Sequence, residues 1–134
     1  MRLTKDSLDI GIVTNDAEPM LRFYRDQLGL SCVGETSIAG GMSYRLQCGT
    51  STVKLLALRK PLPARSPAGG IYASTGCRYW TISVSDVDEV VSACEAAGIP
   101  IVVPITEYEP GRRMVIVEDP DGNWVEFVDS QVID

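Results

Sequence analysis

A chain of 134 residues is about one domain, long enough to bury a core without disulfide staples, and with 45% hydrophobic and 22% charged residues it is not a disordered tail. Twelve Lys and Arg against eighteen Asp and Glu give a net charge of −6, which repels phosphate backbones, so no nucleic-acid partner is expected. There is no histidine, which removes the commonest metal ligand and the commonest general base together.

The longest apolar runs fall far short of a membrane span, and "MRLTKDSLDIG" lacks the apolar stretch of a signal peptide. A cytoplasmic protein with no membrane partner is therefore expected. Cys32, Cys48, Cys77 and Cys94 show no CxxC spacing and are expected to be buried thiols rather than disulfides or zinc ligands.

In chain order, "LDIGIVTND" alternates as a strand and ends at Asn15 and Asp16, which can cap a helix. The following "DAEPMLRFYRDQLGL" puts Met20, Leu21, Tyr24 and Leu28 on one helical face, carries Pro19 in its first turn and stops at Gly29. A hairpin follows, "GMSYRLQ" and "STVKLLALR" around Cys48 and Gly49. Then comes "KPLPARSPAGGIYASTG", rich in Pro, Gly, Ala and Ser, which reads as a surface connector and less readily as a substrate lid.

The order then repeats. "RYWTISVSD" is a strand, "DVDEVVSACEAAGI" a helix with Val87, Val90, Val91, Cys94 and Ala97 on one stripe before Gly98, and "RRMVIVE" with "WVEFVD" a hairpin around "DPDGN". Asp16 matches Asp86 and Gly29 matches Gly98, so the chain is one unit written twice, about 7–60 and 76–131, with a linker about 61–75, in a single domain spanning 1–134. "DPDGN" is turn chemistry and lacks the ligand spacing of a calcium loop; Gly69 and Gly70 do not open a helix after a strand, so no phosphate-cradling loop is expected.

A charge in the middle of "NWVEFV" needs an explanation, because Glu126 sits among Trp124, Val125, Phe127 and Val128. Period-two alternation places Glu126, Lys54, Tyr79 and Asp9 on the faces turned away from the helices. Hairpin register then puts Arg45 beside Lys54, and Arg112, Met114 and Ile116 on the Glu126 side. Glu126 is expected to pair with Lys54, with Asp9 and Arg45 extending the network; such a pair needs that help to offset its desolvation.

"LDIGIVTND" with "FYRDQLGL", and "TISVSDVDEVV" with "AAGI" and "DPDGNWVEF", resemble the vicinal oxygen chelate superfamily, which includes glyoxalase I, extradiol dioxygenases and bleomycin resistance proteins. The resemblance covers essentially the whole chain. It implies an α+β fold of two tandem βαβββ modules forming a cup-shaped mixed sheet, with helices on the outer side and a homodimer as the working form. In that family each module gives two inward ligands to a divalent metal, one from its first strand and one from its last. The first-strand positions fall at Asp9 and Tyr79, the last-strand positions at Lys54 and Glu126. Only Glu126 has the expected residue type, and a protonated lysine has no lone pair to give a cation.

Three functions follow from the resemblance. One is a metal-free protein that binds a small, partly aromatic organic ligand, like the drug-resistance members, with Trp124, Tyr79 and Met114 as apolar contacts, Asp9, Arg45 and Arg112 as polar ones, and Asp9 and Glu126 favouring a cationic or polar ligand. Another is an isomerase or lyase of the glyoxalase type, with Glu126 as general base, Lys54 stabilising an enolate and Tyr79 donating a proton. The third holds magnesium or manganese on Asp9 and Glu126. The expectation for cofactors is none.

Overall fold

A computed structural model describes residues 1–131 and divides the chain into two compact units, Met1–Arg65 and Ser66 onward. The boundary falls inside the connector. In the first unit, β1 (Ile10–Thr14) leads into α1 (Ala17–Leu21), and β2 (Ser31–Ile38), β3 (Gly41–Cys48) and β4 (Ser51–Leu58) follow. The second unit repeats this with β5 (Tyr79–Ser83), α2 (Val87–Ala97), β6 (Ile101–Glu109), β7 (Arg112–Glu118) and β8 (Trp124–Ser130). Each is a βαβββ module with a four-stranded mixed sheet, ordered β1-β4-β3-β2 and β5-β8-β7-β6, in which the first and last strands pair in parallel. The protein is thus an α+β duplication.

Local chemistry explains the repeat. Asp16 and Asp86 hold extended backbone, and each accepts from an amide two residues on, Glu18 at 3.3 Å and Asp88 at 2.8 Å, so both helices start on an Asp cap. Gly98 ends α2 at φ +71°, a left-handed conformation that a Cβ would strain. The first helix differs from its expected form. After Leu21 the chain widens into a π-helical stretch, Arg22–Gln27, in which the Leu28 amide reaches back to the Phe23 carbonyl. The wider turn lets Phe23 join Met20, Leu21 and Tyr24 in the core; Phe23 and Tyr24 meet edge to face with centroids 4.6 Å apart.

The cores lie between each helix and one face of its sheet. Leu46, Val53 and Leu55 are buried in the first unit, and Val115, Val117, Val125 and Phe127 in the second, each contributing about 1.5–3 kcal/mol of transfer free energy. On α2, Val87 and Cys94 are buried, whereas Ala97, expected on the stripe, is exposed because the core continues past Gly98 into Ile99. Burial raises the thiol pKa of Cys94, and of half-buried Cys48. Cys77, expected buried like the others, is exposed at the head of β5.

One carboxylate is buried on the α2 side. Asp129 accepts from the Val87 amide at 2.8 Å and from Arg113 at 2.7 and 3.2 Å, and Arg113 also bonds Asp88 at 2.8 Å. This network ties β8 and β7 to the first turn of α2, where the helix dipole favours negative charge. No helix among the described residues is long and apolar enough to cross a membrane.

Candidate functional site

The sheet register fixes the two helix-free faces. In the first unit, Gly11 of β1 pairs with Lys54 of β4, Lys54 with Arg45 of β3, and Arg45 with Gly34 of β2. Paired residues point to the same side, so Arg45 and Lys54 stand together, as the hairpin register implied. In the second unit, Tyr79, Thr81 and Ser83 of β5 pair with Trp124, Glu126 and Val128 of β8. Glu118, Ile116, Met114 and Arg112 of β7 pair with Trp124, Glu126, Val128 and Ser130. Tyr79, Trp124, Glu126, Met114 and Arg112 therefore share one face, opposite Trp80, Val125 and Phe127.

Glu126 finds a partner inside its own unit. The Thr81 hydroxyl donates to its Oε1 at 2.8 Å, and Ile116 stands beside it on β7, so the carboxylate is oriented by one hydroxyl on a half-apolar floor. Glu126 and Lys54 are both half-buried rather than buried. The described ion pairs of the first unit are Lys5–Asp9, Arg22–Glu18 and Arg25–Asp26, and Lys54 belongs to none of them. Arg45 donates to Thr36 Oγ1 at 2.6 Å, while Arg112 lies 3.5 Å from Glu109.

Two site residues differ from their expected settings. Asp9 lies one residue before β1 and is committed locally: its Oδ1 accepts from Lys5 Nζ at 2.7 Å and from the Thr52 amide at 2.9 Å. The Lys5 hydrogen bond, then the Thr52 amide, and more weakly the charge of Lys54, hold its pKa below the usual carboxylate value. Asp9 thus fastens the N-terminal segment to the start of β4. Trp124 has the expected facing but is only 8% exposed, because the connector lies on it. A Cβ on Gly70 would run into the indole ring, and Gly70 sits at φ +57° at the start of a single 3-10 turn, Gly70–Tyr72. Arg78 binds this segment through the carbonyls of Gly70 (2.8 Å) and Pro67 and the Ser66 hydroxyl (3.1 Å).

The connector is therefore a packed strap, not a bare link. Sequence reasoning missed Arg78, Gly70 and Thr81. The signal for Gly70 was the tandem glycine Gly69–Gly70 in a connector otherwise rich in Pro, Ala and Ser; Thr81 was on the correct face but had no charge to single it out. "DPDGN" is geometric, as expected: Asp119 accepts from the amides of Asp121 and Asn123, each at 2.9 Å, and closes the turn before Trp124.

The chain belongs to the Glyoxalase/Bleomycin resistance protein/Dioxygenase superfamily, whose model matches residues 8–127. Among solved structures, a glyoxalase family protein from Bacillus cereus is 18% identical with a TM-score of 0.81, over 98% of this chain and 97% of that one. A lactoylglutathione lyase from Agrobacterium tumefaciens is 24% identical with a TM-score of 0.67, over 93% of each chain. TnmS3, an antibiotic binding protein from a Streptomyces species, is 17% identical with a TM-score of 0.70, over 96% of this chain and 99% of that one. No curated protein matches the sequence.

The family's metal can be tested against the donors present. At the four positions the resemblance assigns, Lys54 has no lone pair while protonated, Tyr79 is a weak neutral donor, and one oxygen of Asp9 already holds Lys5 and Thr52. Of the two carboxylates, Asp9 is tied to Lys5, which leaves Glu126 as the one conventional ligand outside the described ion pairs. No group of three or more His, Cys, Asp or Glu placed to hold an ion occurs among the described residues. This donor set does not fit a divalent cation.

Proposed function

We propose that the protein binds a small, partly aromatic organic molecule on the helix-free faces of its sheets, without a divalent metal. The observation that carries this reading is Lys54, an ammonium standing beside Arg45 at a position where the family places a metal ligand. Tyr79, 49% exposed, half-buried Met114 and buried Ile116 beside Glu126 supply the mixture of apolar surface and a few polar groups that ligand sites favour. The likeness to an antibiotic binding protein supports a binding role. A cytoplasmic location and a homodimer complete the proposal.

A second reading is favoured by one contact. Thr81 fixes one oxygen of Glu126, which is how a general base is aimed; in an isomerase or lyase of the glyoxalase type, Glu126 would abstract a proton next to a carbonyl, Lys54 would stabilise the enolate and Tyr79 would return a proton. The test is a melting-temperature screen of metabolites and antibiotics on metal-analysed protein, since a ligand that binds the folded state raises that temperature. A hit consumed on incubation favours the enzyme, and a hit recovered unchanged favours the binder. Failure of every compound, together with one bound equivalent of metal that stabilises the fold, would remove the proposal.

A further inference from the structure

Gly11, Lys54, Arg45 and Gly34 form one row straight across the first unit's sheet, from β1 to β2. Two cations thus stand side by side at its centre, with glycine on either flank. Like charges directly opposite each other on a sheet are destabilising, so the pair needs a counter-charge. The unit's described ion pairs leave both residues out. Asp9, which feels the charge of Lys54 as the weakest of its neighbours' effects, is already bonded to Lys5 and Thr52.

The surroundings of the row are shaped to present the two charges. A β-bulge between Cys32 and Gly34 brings Gly34 opposite Arg45, and a Cβ there would collide with the guanidinium, which lies down across β2 in the space the missing side chain leaves. Thr36 accepts from Nη1 at 2.6 Å and fixes the fork. On the other flank, a Cβ on Gly11 would meet nothing within 4 Å, so the lysine stands beside bare strand. One nitrogen of the guanidinium is anchored and the remaining N–H groups keep their planar fork geometry, which matches the paired oxygens of a carboxylate or phosphoryl group. Lys54 adds a point charge next to it.

We infer that this row is an anion subsite, taking the carboxylate or phosphoryl group of the protein's small ligand. The inference rests on the binding reading but fails separately from it. Inorganic phosphate and benzoate are titrated calorimetrically at constant ionic strength into the wild-type chain and into Arg45→Met, Lys54→Met, Gly34→Ala and, as a remote control, Arg22→Ala. At least one anion should bind the wild type, phosphate alone marking a phosphoryl site and benzoate alone a carboxylate site. Arg45→Met and Lys54→Met should each weaken it about tenfold or more, as expected for a lost charge-assisted hydrogen bond. Gly34→Ala retains both charges and should weaken binding as well, because the guanidinium is displaced; Arg22→Ala should bind as the wild type does. The inference is overturned if neither anion binds the wild type, or if the row variants bind as the control does. Absence of phosphate and benzoate binding, alongside a compound whose stabilising effect survives Arg45→Met but disappears in Tyr79→Ala, would leave the binding reading standing and remove the anion subsite alone.

Discussion

Gly70 lies so close against the indole of Trp124 that a side chain at position 70 and the ring cannot both keep their places. Gly70 also holds φ +57°, so two independent reasons require glycine there. The strap 66–72 is thereby seated on β8 and clamped by Arg78.

Gly70→Ala should lift the strap from Trp124, lowering the melting temperature and raising exposure of the indole to an aqueous quencher. Trp124→Ala should cost about 3–5 kcal/mol in chemical denaturation, the range for removing a buried large aromatic. The buried indole Nε1 has no hydrogen-bond partner among the described residues, so Trp124→Phe, which keeps a ring and removes that donor, should cost far less. Equal losses for Ala and Phe would show that the indole nitrogen, not the ring face, holds the strap.

The duplicated architecture was legible in the sequence because its signals are local. Asp16 and Asp86 before apolar stripes, Gly98 after one, and "DPDGN" between alternating runs each act within a few residues. The edge strands β2 and β6 were not placed, since "SCVGETSI" is mostly exposed and "IVVPITEYE" carries Pro104 in its middle, which blurs the alternation. For the site, period two gave the facing of Lys54, Tyr79, Trp124 and Glu126 correctly. It could not say that Trp124 is covered, because that depends on a chain segment far away in sequence folding back onto it. Nor could it show Thr81 as the partner of Glu126, since parallel pairing of β5 with β8 joins the two ends of a module.

Lys54 and Glu126 are equivalent positions of the two modules with opposite charge: each pairs with the first strand of its own sheet, at Gly11 and Thr81. A fully buried pair would make each single substitution severe by stranding the other charge. Both are half-buried, and Glu126 has the Thr81 hydroxyl, so Lys54→Met and Glu126→Gln should each move the melting temperature of the free protein by only a few degrees. The double variant decides whether they act on each other: additive effects would separate the two side chains, and a large coupling would assign them to each other.

Added magnesium, manganese or zinc should leave the melting temperature unchanged, because a cation at the family position would face the Lys54 ammonium. Lys54→Gln removes that repulsion and is the variant in which a metal-dependent shift would first emerge. A shift in the wild type that a chelator reverses would overturn the metal-free reading.

The pH dependence of stability should be dominated at the acid end by Asp129. The hydrogen bond from Arg113 is the main cause that lowers its pKa, with the Val87 amide adding to it and burial opposing. A carboxylate whose folded pKa lies below its unfolded value stabilises the fold fully above the unfolded value, about 3.9, and loses that contribution as pH falls through the folded one. Denaturant midpoints should therefore be flat near neutrality and drop below about pH 4, with proton uptake on unfolding in that window. Asp129→Asn keeps an acceptor for the Val87 amide but gives up the charge that Arg113 binds. It should lower stability at pH 7 and flatten the acid limb, so that the two proteins converge as the pH falls. Asp129→Ala leaves the Val87 amide unpaired as well and should cost roughly 3 kcal/mol at neutral pH. Parallel acid limbs for wild type and Asp129→Asn would place the acid sensitivity in another carboxylate and reduce Asp129 to a packing residue at the start of α2.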